Sequence, residues 1–207
     1  CEGPLLVLAG AGSGKTRVII EKIAHLVDSG RMPAKRIAAI TFTNKAAKEM
    51  RQRLGKRIKG EAAEGLTLCT FHALGLKFLQ IEHASLGLKR GFSIFDADDS
   101  NAQIKDLMPG AKNDAIEAAK NLISRAKNAG LSPEEALAAA QSPREREAAA
   151  LYAKYQKRLN TFNAVDFDDL IALPVRVLEA DADIRAKWQR KLQYLLVDEY
   201  QDTNDAQ

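Results

Sequence analysis

An apolar run, Leu5–Ala9, passes directly into the octet Ala9-Gly10-Ala11-Gly12-Ser13-Gly14-Lys15-Thr16, and a helical pattern, Lys15–Asp28, follows at once. Strand, glycine turn and helix in that order leave few folds open to the chain. Gly10, Gly12 and Gly14 let the backbone turn tightly and aim its N–H groups inward, where they and the helix N-terminus can hold phosphate oxygens. Lys15 supplies a point charge for the β- and γ-phosphates, and the Thr16 hydroxyl suits Mg²⁺. The octet matches the phosphate-loop pattern with Ala9 in place of its first glycine. The blander reading is a Gly/Ser turn with an incidental lysine, and the strand before and helix after argue against it.

Three further runs are β-rich: Ile37–Phe42, Leu66–Thr70 and Tyr194–Val197. Near-continuous apolar strands are those covered on both faces, as in parallel sheets flanked by helices. Between them, Asn44–Lys59 carries Ala47, Met50, Leu54 and Ile58 as one stripe of a helix. Alternation of this kind predicts an α/β fold with a parallel sheet. From about residue 80 to about 185 alanine becomes frequent and strand patterns vanish. Ser132-Pro133-Glu134-Glu135 and Ser142-Pro143-Arg144-Glu145 each read as a serine N-cap, Pro at the first helical position and Glu three residues on. An all-helical block inserted into the sheet domain is expected there, and Tyr152, Tyr155 and Trp188, at helical positions, are read as packing residues.

The last strand ends in Asp198-Glu199. Adjacent acids at a strand end are usually a solvated terminus. Downstream of a phosphate loop, however, an acid in this position completes the Mg²⁺ site, and its neighbour orients or deprotonates the attacking water. Asp198 and Glu199 take those roles here, although nearly the whole chain separates them from Lys15.

Four stretches together, AGAGSGKT (9–16), TFTNKAAKEM (41–50), TFHALG (70–75) and VDEYQDT (197–203), resemble the Rep/UvrD-type helicases of superfamily one, and GFSIFDADD (91–99) and VDFDDLI (165–171) extend the resemblance. It implies a RecA-like ATPase subdomain, residues 1–80 with 184–207, carrying a helical insert at 81–183. It implies an ATP-dependent enzyme that moves 3′-to-5′ along single-stranded DNA and unwinds duplex, with ATP and Mg²⁺ bound. Duplex/single-strand junctions and replication proteins are the implied partners, replication and repair the implied setting. Lys15, Asp198, Glu199 and Gln201 would be catalytic, Gln201 sensing the γ-phosphate. Phe42, Thr43, Asn44, Thr70, Phe71 and His72 would face DNA. Read without the resemblance, Phe42 is a core ring and His72 a structural hydrogen-bonding histidine. The basic run Lys45, Lys48, Arg51, Arg53, Lys56, Arg57 and Lys59 is by default a solvated helix face, with attraction of DNA phosphates as the alternative.

Family members carry a glutamine-containing, adenine-recognising segment before the phosphate loop, and a second RecA-like lobe with transition-state arginines after the acid pair. Neither is in this sequence, so a fragment that hydrolyses ATP poorly alone is expected. A small-molecule kinase or other phosphate-loop NTPase is the competing reading. Composition discriminates little: 31 basic against 27 acidic residues give a net charge of +4, a weak pointer to a polyanionic partner. There is no apolar run of about 18 residues to predict a transmembrane helix. Cys1 and Cys69 fit no metal spacing, which favours a reducing, cytoplasmic setting.

Overall fold

The computed structural model describes residues 3–10, 12, 14–58, 60–204 and 206–207. In chain order the elements are α1 (Lys15–Asp28), β1 (Ile37–Thr41), α2 (Asn44–Arg57), β2 (Thr67–Thr70), α3 (Phe71–Glu82), β3 (Ser93–Phe95), α4 (Ala97–Leu107), α5 (Asn113–Asn128), α6 (Pro133–Ala139), α7 (Pro143–Thr161), β4 (Ala164–Asp166), α8 (Asp169–Ala180), α9 (Ala182–Lys191) and β5 (Tyr194–Val197). The fold is mixed α/β, with small parallel sheets among many helices. It divides into two compact units, Cys1–Phe71 with Ala186–Asp202, and His72–Arg185 with Thr203–Gln207. Among the described residues no helix is long and apolar enough to cross a membrane.

The first unit is built on a three-stranded parallel sheet in the order β2-β1-β5. All five residues of the central strand β1 are buried, the apolar run Ile37–Ile40 and the polar Thr41 that ends it. Ile20, Ile23, Ala24 and Leu26 of α1 and Met50 and Leu54 of α2 join Ile37, Ala39, Ile58 and Leu68 in one core. α1 and β5 have the bounds that the sequence pattern gives them, and α2 stops at Arg57, Lys59 lying outside the described residues. The expected strand at Leu5–Ala9 is absent. That segment makes no ladder, and its apolar side chains are exposed, Leu8 by 86%. Apolar content alone does not make a strand: the N–H and C=O groups need a neighbour to pair with, and among the described residues this segment has none. Cys69 is in no disulfide, and Cys1 lies outside the described residues.

The second unit is not all-helical. β3 and β4 form a two-stranded parallel sheet, Ser93–Phe95 against Ala164–Asp166. Each is only three residues long, too short to display an alternating or continuous apolar pattern. Around them, Ile104 of α4, Ile116, Ala119 and Ile123 of α5, and Leu151, Tyr152, Tyr155 and Leu159 of α7 form the core. α6 and α7 begin with the capping boxes read from the sequence: Ser132 and Ser142 each accept the N–H of the Glu three residues on, and that Glu accepts the serine's own N–H. α3 and α8 touch so closely that a Cβ on Gly75 would lie 1.7 Å from the Leu170 carbonyl oxygen, which excludes any other residue there.

This unit also buries charge. Lys127, 1% exposed, donates from Nζ to Asp166 Oδ2 at 2.7 Å and to Asp169 Oδ1 at 2.8 Å, and the Tyr155 hydroxyl donates to Asp166 Oδ2 at 3.0 Å. One ammonium thus faces two carboxylates. Burial alone would lower Lys127, but the attraction of Asp169 and Asp166 outweighs it and keeps the ammonium charged. Burial raises Asp169, and the Asp166 charge adds to that rise against the pull of Lys127.

A carboxyl whose pKa is raised on folding stabilises the chain below its unfolded-state value and loses that contribution as pH climbs through the folded value. For Asp169 that window runs from 3.8 to about 6. Across it, wild type should lose roughly 1–3 kcal/mol of unfolding free energy relative to Asp169→Asn. Urea denaturation of both chains at several pH values measures this, and the opposite sign would assign the extra proton elsewhere.

Candidate functional site

Parallel pairing decides where the functional residues emerge. Ile40 of β1 lies opposite Cys69 of β2 and Val197 of β5, and Thr41 lies opposite Thr70. The chain therefore leaves all three strands at one edge of the sheet, and Phe42-Thr43, Phe71 and Asp198-Glu199 follow there. The carboxyl edge of a parallel sheet is where α/β proteins collect ligands.

At that edge the acid pair meets the start of α1. Gly14 caps the helix at φ 89°, a left-handed conformation that favours glycine. Two residues later the Thr16 hydroxyl donates to Asp198 Oδ2 at 3.2 Å, across 182 positions of sequence. Lys15 Nζ stands 3.2 Å from Glu199 Oε2. Asp198 is buried, and its N–H donates to the Ile40 carbonyl at 2.9 Å, extending the β1–β5 ladder by one residue. Glu199 then turns into the left-handed region, φ 55°, an uncommon backbone for a non-glycine and the kind of strain that gathers at working sites. Gln201 Nε2 donates to Glu199 Oε2 at 2.5 Å. The Gln201 amide, and next the Lys15 ammonium, hold the Glu199 carboxyl below the usual carboxylate range.

These groups fit a magnesium nucleotide. Thr16 and Asp198 offer two hard oxygen donors side by side, and no cluster of three or more His, Cys, Asp or Glu suited to a metal exists among the described residues. Mg²⁺ is usually held that way, by one or two protein oxygens with phosphates and water completing the shell. Of the loop itself, Ala9, Gly10 and Gly12 are described, Gly12 at φ 73°, while Ala11 and Ser13 lie outside the described residues. A separate open depression of 720 Å³ runs along α1 past Arg17, Glu21 and His25 and shares only Gly12 and Gly14 with the loop.

The aromatic candidates fall into two groups. Phe42, half-buried, meets Phe71 edge-on with centroids 5.5 Å apart. Neither ring belongs to the apolar cluster under the sheet. His72 is exposed on α3 in the second unit, and its ring meets Phe167 edge-on at 6.1 Å. Thr43 has a structural task, since its hydroxyl caps α2 by accepting the Ala46 N–H at 3.1 Å. Asn44 opens that helix, exposed, and Thr70 is buried at the end of β2. The basic run on α2 is partly occupied: Arg57 pairs with Glu21 and Asp28, Arg53 with Glu49, and Arg51 donates to the Leu68 carbonyl. Lys45, Lys48 and Lys56 are exposed.

Sequence reasoning missed the buried Lys127 cluster, although a signal existed. Lys127 continues the stripe Ile116, Ala119, Ile123 on α5 at helical spacing, and a lysine on an apolar stripe needs a buried partner. It also missed the left-handed turn at Glu199, for which the sequence offers no glycine.

The sequence matches the UvrD/REP helicase N-terminal domain family over residues 1–207. It is 48% identical to the ATP-dependent DNA helicase Rep of Escherichia coli, over 99% of this chain and 31% of that protein. It is 41% identical to the ATP-dependent DNA helicase PcrA of Leuconostoc citreum, over 100% of this chain and 28% of that protein. Against PcrA of Staphylococcus aureus the identity is 40%, over 100% of this chain and 29% of that protein. The chain thus spans about a third of the length of the curated relatives it matches.

Glu199 competes with any anion that approaches the Lys15 ammonium. A partly exposed ion pair is worth up to about 1 kcal/mol, so Glu199→Gln should tighten binding of a magnesium nucleoside triphosphate by up to about fivefold. Isothermal titration checks this, and weaker binding by the variant would show that Glu199 does not compete for Lys15.

Proposed function

The chain belongs to the UvrD/REP helicase N-terminal domain family, and we propose that it is the nucleotide-binding part of an enzyme that uses ATP hydrolysis to move 3′-to-5′ along single-stranded DNA and unwind duplex. The observation that carries the reading is the meeting of Thr16 with Asp198 and of Lys15 with Glu199 at the carboxyl edge of a parallel sheet. A RecA-like sheet subdomain, residues 1–80 with 184–207, carrying a helical insert at 81–183 is the architecture this function needs, and the parallel order β2-β1-β5 supports it. Single-strand/duplex junctions are the proposed substrate, replication proteins the proposed partners, and the cytoplasm the proposed location. The names of the relatives give the small-molecule kinase reading no support.

In this reading the loop Ala9–Thr16 wraps the phosphates with backbone N–H groups, and Lys15 exchanges Glu199 for the β- and γ-phosphates. Thr16 and Asp198 would hold Mg²⁺, which would draw charge from the phosphate oxygens. Losing Lys15 removes one of the two groups that hold the Glu199 carboxyl low, so nucleotide binding itself makes Glu199 a better base. Glu199 then orients the attacking water and takes its proton, and Gln201, already bonded to Glu199, reads the γ-phosphate. Phe42 and Phe71 offer rings to the bases of DNA. Thr43, Asn44, Thr70 and His72 supply polar contacts.

ATP hydrolysis by the whole protein should rise when single-stranded DNA is added, and a rate indifferent to DNA would sink the reading. Glu199→Gln should keep ATP binding and lose about 10²–10⁴ in turnover. Phe42→Ala should weaken single-stranded DNA by about 1–3 kcal/mol in anisotropy titrations, with ATP affinity unchanged.

A further inference from the structure

The loop that carries Glu199 and Gln201 is held at both ends. Ahead of it, the Asp198 N–H is bonded to the Ile40 carbonyl. Behind it, Asn204 Nδ2 donates at 3.3 Å to Oδ1 of Asn128, the last residue of α5, across 76 positions of sequence. Asn204 and Asn128 both belong to the second unit. Between the two anchors stands the left-handed backbone of Glu199, φ 55°. A residue with a Cβ keeps such a conformation only where its surroundings over-determine it. The Asp202 N–H donates to the Glu199 carbonyl at 2.9 Å, but a bond inside the loop fixes its shape and not its direction. The rear anchor also has a fixed sense. Asn204 Oδ1 accepts the N–H groups of Ala206 and Gln207 at 3.1 and 3.2 Å, which leaves its Nδ2 for Asn128. Asn128 Nδ2 donates to Asp168 Oδ1 at 3.0 Å and to the Ser124 carbonyl at 2.9 Å, which turns its Oδ1 to Asn204. A carboxylate and a carbonyl only accept, and a backbone N–H only donates. Both ends of the relay therefore impose one direction, and a flipped amide at either asparagine would set like group against like. Asn128 adjoins Lys127 and Asp168 adjoins Asp169, so the relay stands on the buried ion cluster.

We propose that Asn128 is a positioning residue for ATP hydrolysis: through Asn204 it holds the rear of the loop, so that Glu199 and Gln201 keep the posture hydrolysis needs. The proposal rests on the function proposed above and adds to it a residue remote from the phosphates. Gln201 is exposed and bonded to Glu199, so both side chains take their direction from the loop backbone. A group that must orient a water loses rate steeply when displaced by about 1 Å. Phosphate binding draws instead on the loop Ala9–Thr16, which is anchored at α1. Losing the Asn128 contact should therefore lower turnover and leave nucleotide affinity alone.

The test uses the whole protein with saturating oligothymidylate, reading kcat for ATP hydrolysis and, by isothermal titration, the Kd for ATP. Asn128→Ala should lower kcat about 10- to 100-fold with Kd within about twofold of wild type. Asn204→Asp keeps the acceptor for the Ala206 and Gln207 N–H groups but loses the donor to Asn128, and should lower kcat to the same degree. Because the two act through one hydrogen bond, the double variant should be no slower than either single one. Asp168→Asn keeps an acceptor for Asn128 and should turn over within about threefold of wild type. Should Asn128→Ala melt earlier than wild type, Asn204→Asp, which leaves α5 untouched, decides the matter. If wild type hydrolyses ATP and Asn204→Asp stays within about twofold of it, this inference fails while the proposed function stands. Losses that multiply in the double variant, or a Kd that weakens together with kcat, overturn it too. If wild type hydrolyses no ATP with DNA present, both fail together.

Discussion

A threonine hydroxyl on the first turn of α1 donates to an aspartate at the end of β5, and almost the whole sequence lies between them. That hydrogen bond stands on two constraints. The helix start is fixed by a left-handed glycine, which no residue with a Cβ adopts as easily. The strand end is fixed by parallel pairing, which carries Asp198 one residue past the ladder while its N–H is still bonded to β1. Move the β1–β5 register by one residue and Asp198 would exchange faces with Val197 or Glu199, putting an apolar side chain or a strained one beside Thr16. The chemistry of the site is thus set by strand register as much as by the residues themselves.

How much of this was legible in the sequence depends on length scale. β1 was legible because a strand buried on both faces is largely apolar, β2 and β5 because each is a short β-rich run, although β5 leaves Leu195 exposed, and α1 and α2 because their stripes run for four turns. The serine caps of α6 and α7 were legible because a capping box is a local, four-residue signal. What failed was non-local. Leu5–Ala9 has the side chains of a buried strand but no partner among the described residues. β3 and β4 pair across 71 positions of sequence, Ser93 with Ala164, through three residues each, below the length at which any period shows. In the site, residue identities were legible as motifs, but the pairing of Lys15 with Glu199 and the use of Thr43 as a cap follow from geometry that no motif records.

The second unit accepts an arrangement that a purely stability-driven core would avoid. Replacing a buried ion cluster by well-packed apolar residues is often neutral or favourable. Retaining Lys127 with two carboxylates, and surrounding it with Tyr152 and Tyr155, makes sense when the gain is one fixed conformation. Four of its hydrogen bonds converge on the two residues that flank Phe167 and Asp168, so the cluster dictates the course of the β4–α8 turn.

The same logic separates the two kinds of charge pairing in the chain. Lys127 is enclosed, its charge is compensated on the spot, and separating it from its partners would leave carboxylates buried without a counter-charge, so it belongs to the permanent frame. Lys15 and Glu199 are partly exposed, at 30% and 40% of their side-chain surface, and water can replace either partner. A pair of that kind is held weakly enough to open when a more highly charged anion arrives. Opening it costs little, and in the proposed function it would change the charge around Glu199 when a phosphate is bound. A pair buried like Lys127 would be too strong to open in this way. Partial exposure is therefore the property that would let this contact respond to a nucleotide in the proposed function.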